Sequence, residues 1–297
     1  MPSALIAGPC VSEFGWELME WQGAVRKMAQ GHDKVTVCSA AGHEPLYADL
    51  NPSFIPHHVV GYRDCHRMRP GSIGNPSELT RVQHELAMDE ARYRRAGYKV
   101  TRFTSIPKNP RKAVGTRRPI EQQRFVKLGD PACISEPYPL VIHARARPDS
   151  VATSGDNYPK TEWEELLRLL AAAGLSRVAA VGLRDASIVP AGAVDHRGHE
   201  IQPTMNLMAA ATIVVGPSSG PMHLASLCGT PHMVWATDRH QAAIMKRNKE
   251  RYESYWNPLK TPVKVLLHKP TALLPAAQLA AAVLELHASI GASYGGG

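Results

Sequence analysis

Short apolar or β-branched runs alternate with longer stretches of helical periodicity along this chain, and the series runs twice. That is the pattern of α/β architecture, in which helices connect and cover parallel strands. In the first half, Ala4–Ala7, Lys34–Cys38 and His58–Gly61 read as strands. A helix from about Trp16 to Ala29 joins the first two, and a second runs from Pro76 to Arg95 with Ser77 as its cap. Pro131, Pro137 and Pro139 then mark a boundary. Past it, strands are expected at Leu140–His143, Val178–Val181, Thr212–Val215, Met233–Trp235 and Val263–Leu267. Helices are expected at Thr161–Ala173, Thr204–Ala211, Pro221–Leu227 and Leu273–His287. Thr161 and Glu164 have capping-box spacing, and Gly174 is a stop signal. Two such halves make a cleft between domains the natural place for chemistry.

Composition narrows the class. At 297 residues, with 44% hydrophobic and 20% charged residues, the chain can build full cores and is not disordered. No uncharged apolar run approaches the ~18 residues that a membrane helix needs. The opening MPSALIAGPC lacks the basic start and long apolar centre of a signal peptide, so the cytoplasm is the expected setting. Five scattered cysteines with no C-x-x-C pair argue against a disulfide framework or structural zinc.

The charge is concentrated. From Arg92 to Lys127 there are twelve basic residues and one acid, Glu121, so this stretch carries +11 in a chain whose total is +8. Such a block is either a solvated loop or a surface for a polyanion. Arg111, Lys112, Arg117 and Arg118 lie at its centre.

The segment with most chemical content is Thr212-Ile-Val-Val-Gly-Pro-Ser-Ser-Gly-Pro-Met-His-Leu-Ala-Ser-Leu-Cys-Gly-Thr-Pro231. A buried strand ends at Gly216, a turn presents Ser218 and Ser219, and a helix starts near Pro221, which is well placed at a first helical position. Backbone N–H groups at Gly220, Met222 and His223 would make the start of this helix an anion site. The same residues, Gly216-Pro-Ser-Ser-Gly220, spell G-x-S-x-G, the nucleophile-elbow pattern of serine hydrolases, with Ser218, Asp238 and His268 in chain order as a triad. That alternative lacks an upstream oxyanion segment and gives His223 no role.

Ser219-Gly-Pro-Met-His-Leu-Ala225 followed by Gly229-Thr-Pro231 resembles the donor-site signature of heptosyltransferase-like (family 9-like) glycosyltransferases, where an Asp usually stands at the position of Ser218. Asn157-Tyr-Pro-Lys-Thr-Glu-Trp163 and Val181-Gly-Leu183 extend the likeness, which covers about residues 140–236. The resemblance implies the GT-B fold: α/β, with two Rossmann-like domains facing across a cleft. On this basis 1–135 is an acceptor-binding domain with the basic segment 92–127, and 136–271 binds a nucleotide sugar. Residues 272–297 form a C-terminal helix, which the resemblance implies packs back on the first domain, and a tail.

His143-Ala-Arg145-Ala-Arg147 alternates directly after a strand, so its three long side chains can share one face at the strand's carboxyl end. Two arginine forks suit a diphosphate. With Asp185 as a ribose or base partner, the donor set is His143, Arg145, Arg147, Asp185, Ser218, Ser219, Gly220 and His223. In the first half, Gly8-Pro-Cys-Val-Ser-Glu-Phe-Gly-Trp-Glu-Leu18 places Glu13 and Glu17 around a Gly-Trp turn. The resemblance implies that an acid in this loop is the catalytic base, with Glu13 in the turn favoured over Glu17 in the first helical turn. Trp16 and Trp21 either line the acceptor side or pack.

No Asp-x-Asp is present, so no metal and no resident cofactor are expected; the nucleotide sugar is a co-substrate. The expected activity is metal-independent, inverting glycosyl transfer to a hydroxyl. The basic block favours a polyanionic acceptor. Hydroxymethylated DNA bases, as in phage-type DNA modification, stand narrowly ahead of an anionic cell-envelope glycan.

Overall fold

A computed structural model of the chain describes residues 1–59, 75–104, 120–147, 157–237, 249–269 and 272–294. The chain divides into two compact units, Met1–Phe125 and Val126–Gly297. The proline cluster at 131–139 therefore falls inside the second unit. Gly129 (φ +75°) shows why: a Cβ there would meet the Met205 carbonyl oxygen at 2.4 Å, so only glycine allows this close approach.

The first unit is built on four parallel strands, β1 (Ser3–Ala7), β2 (Lys34–Ala40), β3 (Ser53–His57) and β4 (Lys99–Phe103), in the order β3-β2-β1-β4. Two of these differ from the sequence pattern. β3 precedes the run expected at 58–61, whose last two residues lie outside the described part. It contains Pro56, which an edge strand tolerates because its outer amides need no partner. β4 has the polar sequence KVTRF, yet it pairs along its whole length with β1, and its Phe103 stacks on Trp21 with centroids 4.4 Å apart.

The helical run after β1 begins with α1 (Phe14–Trp16), widens into a π turn (Glu17–Trp21) and continues as α2 (Gln22–Ala29). α3 (Pro76–Arg95) has Pro76 at its first turn. Asn75, not Ser77, is its cap residue, and the Asn75 amide donates to the His58 carbonyl. Val82, Leu86 and Tyr93 of α3 lie against Ala4, Ile6, Cys38 and Ile55 of the sheet in one of this unit's buried clusters.

The second unit carries six parallel strands: β5 (Leu140–Ile142), β6 (Val178–Ala180), β7 (Ala193–Asp195), β8 (Ile213–Pro217), β9 (His232–Thr237) and β10 (Val263–His268). Their order is β10-β9-β8-β5-β6-β7. The central strands are buried at every residue and, up to the Gly216-Pro217 that ends β8, read as continuous Val, Ile, Leu and Ala, as strands covered on both faces must. Helices α4 (Lys160–Ala172), α5 (Ile201–Ala210), α6 (Gly220–Leu227) and α7 (Ala276–Tyr294) complete it. α4 starts at Lys160 after Pro159, so Thr161 lies inside the helix and does not cap it; Glu164 instead accepts the Ala191 N–H at 3.3 Å. α7 packs on α4, β8, β9 and β10, and its Leu279, Val283 and Leu286 belong to this unit's core.

At the centre of that core Tyr158, Trp163 and Trp235 meet with centroids 5.2–5.7 Å apart, tilted or edge-on, the arrangement that aromatic quadrupoles favour. Trp163 is fully buried. We predict that Trp163→Ala costs about 3–5 kcal/mol of stability, read as a lowered urea midpoint for the second unit's unfolding. An unchanged midpoint would show that this cluster does not hold the unit together.

Candidate functional site

In the second unit the chain enters the sheet at β5, adds β6 and β7 on one side, then returns to add β8, β9 and β10 on the other. The gap between β5 and β8 is therefore a topological switch point, and ligands of open α/β sheets bind at the carboxyl ends of the strands there. His143 follows β5, while Ser218 and Ser219 follow β8. One hydrogen bond joins the two ends: His143 Nδ1 lies 2.9 Å from Ser219 Oγ. The Ser219 hydroxyl donates to the Pro217 carbonyl at 2.9 Å. Its single proton is thus committed, so Nδ1 must be the donor to Oγ and Nε2 carries the lone pair. Burial, reinforced by the Arg145 charge, pushes the His143 pKa down to about 3, and the ring is neutral at physiological pH. Gly182 (φ +131°) leaves the ring its space, since a Cβ there would meet His143 Cδ2 and Ser187 Oγ at 2.8 Å.

Arg145 is 9% exposed. A backbone bridge to Ser187 fixes its position, and its Nη1 donates to the Ser218 carbonyl at 3.4 Å. The Ser218 hydroxyl is 2.7 Å from Tyr252 OH. Tyr252 is fully buried and stacks on His223 at 5.3 Å and 14°, and Trp256 meets both rings edge-on at 4.8–4.9 Å. Arg251 lies over Trp256 at 5.3 Å. Tyr252 and Trp256 escaped the sequence reading, although their i, i+4 spacing in an aromatic stretch was a signal that both share one helical face.

The start of α6 offers fewer amides than its sequence promises. Met222 N–H and His223 N–H both bond to the Ser219 carbonyl, at 3.1 and 3.3 Å. Among the described residues the Ser219 and Gly220 amides donate to no protein acceptor, so these two are the anion donors at this turn. Arg147 is placed differently from His143 and Arg145: its backbone N–H and carbonyl are both held by the Asn157 side chain, at 3.0 and 2.7 Å. The alternation expected over 143–147 stops because β5 ends at Ile142. Asp185 sits exposed in the turn after β6.

Ser218 and His268, two members of the hydrolase triad, make no hydrogen bond to each other among the described residues. Ser218 Oγ is partnered by Tyr252, and His268 Nδ1 faces the Ala272 and Lys269 carbonyls while its buried Nε2 has no hydrogen-bond partner. Asp238 lies outside the described residues.

In the first unit the Glu17 carboxylate is 1% exposed and accepts three hydrogen bonds. They come from His43 Nδ1 at 2.6 Å, Tyr47 OH at 2.7 Å and the Ser39 hydroxyl. Burial favours its neutral form, but the His43 charge and these donors outweigh burial and hold Glu17 below the usual glutamate value. Glu17 is therefore a buried anchor, not the dipole contact expected of a first-turn acid. Glu13 is the residue before α1, half-buried, and its carbonyl accepts the Glu17 N–H at 3.0 Å. Trp16 is half-buried and Trp21 buried.

Arg111, Lys112, Arg117 and Arg118 lie outside the described residues. Elsewhere in the block, helix acids answer the arginines: Arg92 pairs with Asp89 at 3.0 Å, and Arg94 and Arg102 pair with Glu90 at 2.8 and 2.6 Å. Those acids fall just before residue 92, so the +11 count stops short of the charges that offset it. Among the described residues no group of three or more His, Cys, Asp or Glu side chains could hold a metal ion. No helix of the described residues is long and apolar enough to cross a membrane.

Comparison with solved structures gives the fold. The chain is similar to Escherichia coli ADP-heptose lipopolysaccharide heptosyltransferase II, with a TM-score of 0.61, 13% identity, and 97% of this chain and 99% of that one covered. A family 9 glycosyltransferase from Veillonella parvula matches at 0.59 and 10% identity, covering 97% of each chain. The E. coli heptosyltransferase WaaC with ADP matches at 0.55 and 11%, covering 96% and 100%. The two parallel sheets with their helices thus have the GT-B fold of these glycosyltransferases. No family model matches the sequence. No curated protein matches it either.

The neutral His143 has a consequence for stability. Its folded pKa lies below the ordinary value, so the folded state binds fewer protons, and the stability present above about pH 6.5 is lost as pH falls toward about 3. Between pH 7 and pH 5 the native chain should lose about 2 kcal/mol more than His143→Gln, measured by urea unfolding at both values. Equal losses would mean that the ring is not held neutral.

Proposed function

We propose that this chain is a metal-independent, inverting glycosyltransferase that moves a sugar from a nucleoside-diphosphate sugar to an acceptor hydroxyl. The observation that carries this is the cluster at the switch point of the second sheet. There a buried Arg145, the Ser219 and Gly220 amides and the α6 dipole converge beside a neutral histidine. In one displacement the acceptor oxygen bonds to the anomeric carbon as the bond to the diphosphate breaks, and negative charge grows on the leaving group. Arg145 and the two amides are set to stabilise that charge, the part a divalent cation plays in other transferases. The Nε2 lone pair of His143 suits a sugar or ribose hydroxyl better than a phosphate oxygen. Tyr252 stands behind Ser218, where the similar enzymes usually carry an acid, and supports its hydroxyl with no added charge. Arg147, Asp185 and His223 complete the proposed donor side.

The first unit is proposed to hold the acceptor and to supply the proton acceptor from the region of Glu13 and Glu17. Hydroxymethylated DNA bases are the acceptor favoured by residues 105–119, which carry five basic residues and no acid. The ion pairs on α3 weaken that case, and the heptosyltransferase likeness supports the second reading, an anionic cell-envelope glycan. A soluble nucleotide-sugar donor makes the cytoplasm the setting.

Release of nucleoside diphosphate from a panel of ADP-, UDP- and GDP-sugars tests the activity. Turnover should persist in EDTA and fall about 100-fold or more in Arg145→Ala. Absence of turnover with every donor and acceptor offered would contradict the reading. Binding to duplex DNA should weaken steeply between 50 and 200 mM salt. No binding at low salt would remove DNA and leave the glycan.

A further inference from the structure

The first unit holds a second pair of side chains with catalytic geometry. His43 lies in the turn after β2, at the carboxyl edge of a parallel sheet, where ligands of such sheets bind. Its Nδ1 is 2.6 Å from Glu17 Oε2, and Oε1 of the same carboxylate is taken by Tyr47 and Ser39. Glu17 is thus buried and saturated with donors, in no position to receive a substrate proton itself. It fixes the tautomer of its partner instead: the hydrogen sits on Nδ1 and the lone pair on Nε2. The Phe14 ring, edge-on at 5.3 Å and 60°, restrains the imidazole from another side. The His43 side chain is 20% exposed, and Nε2 makes no hydrogen bond among the described residues.

We propose that His43, oriented by Glu17, is the group that takes the proton from the acceptor hydroxyl. This rests on the glycosyl-transfer reading. As the acceptor oxygen bonds to the anomeric carbon, its O–H proton passes to Nε2. The bond from that carbon to the diphosphate oxygen breaks, and its electron pair leaves with the diphosphate. Glu17 stays ionised and stabilises the imidazolium that forms, so it is a positioning residue, as are Tyr47 and Ser39.

The groups that set this titration are all close by. Burial lowers the His43 pKa, but the charges of Glu17 and Glu44 outweigh it, so the ring titrates above the ordinary histidine value. His57 on β3, Tyr47 and Cys10 are the other titratable groups facing the pair. The transfer rate should therefore rise with pH through the His43 pKa. Glu17→Gln should move that rise to lower pH and reduce the plateau.

Turnover of the same nucleotide-sugar panel tests the assignment. His43→Gln should lower kcat about 100-fold or more while the donor KM changes less than about twofold. A His43→Gln enzyme of native kcat, or loss of turnover in Glu13→Gln alone, would overturn the proposal. Nitrogen-15 spectra of the native chain give a second readout that no variant's folding can disturb. The Nδ1–H tautomer is expected for His43 above its pKa, and an Nε2–H tautomer would overturn the assignment. Failure of every donor to turn over would instead bring down the glycosyl-transfer reading, and the tautomer would still report on the pair.

Discussion

The hydrogen bond between His143 and Ser219 is the constraint on which the second unit's site depends. It ties the carboxyl end of β5 to that of β8 at the one place where neighbouring strands are far apart in the chain. Because the Ser219 hydroxyl is spent on Pro217, the bond also sets which nitrogen of the ring holds the hydrogen. A charged ring there would add a second cation beside Arg145 and break this pattern. Burial prevents it, and among the described residues the neutral ring stands beside the Arg145 cation and the Ser219 and Gly220 amides.

The first unit uses the same devices with the opposite electrostatic result. Glu17 is buried like His143, but three donors, the His43 imidazole among them, keep it charged where His143 is kept neutral. The difference follows from what each group faces: hydroxyls and a histidine around the carboxylate, an arginine beside the ring. A π turn at the start of the helical run carries Glu17, and such turns are common where side chains must be aimed.

Much of the architecture was legible in the sequence. The buried strands of the second unit are continuous apolar runs, and α3 was bounded by its proline and its basic end. What escaped were strands whose reason for existing is a neighbour. β4 reads as polar because only Phe103 is buried, and β7 is an exposed edge. The Ser218–Ser219 turn was visible as a motif, but its partner was not: Tyr252 lies 34 residues on, and its spacing to Trp256 marks a shared helical face without saying what that face meets. Likewise the acids of the first loop were visible, whereas the histidine that gives Glu17 its meaning comes from the far end of β2. Charge counted along a sequence window missed Asp89 and Glu90 because ion pairs form across helix turns and to a neighbouring strand.

The central claim is that the second unit binds a nucleoside diphosphate at the β5–β8 switch point. Thermal unfolding of the native chain with saturating ADP, UDP or GDP tests it most directly. Ligand at about 100 times its Kd stabilises a folded state by about 2.7 kcal/mol, worth roughly 5–10 °C for a unit of this size. At least one of the three should raise the melting temperature by that amount, and Arg145→Ala should abolish the rise. No shift with any nucleoside diphosphate, or a shift that survives Arg145→Ala unchanged, would contradict the account.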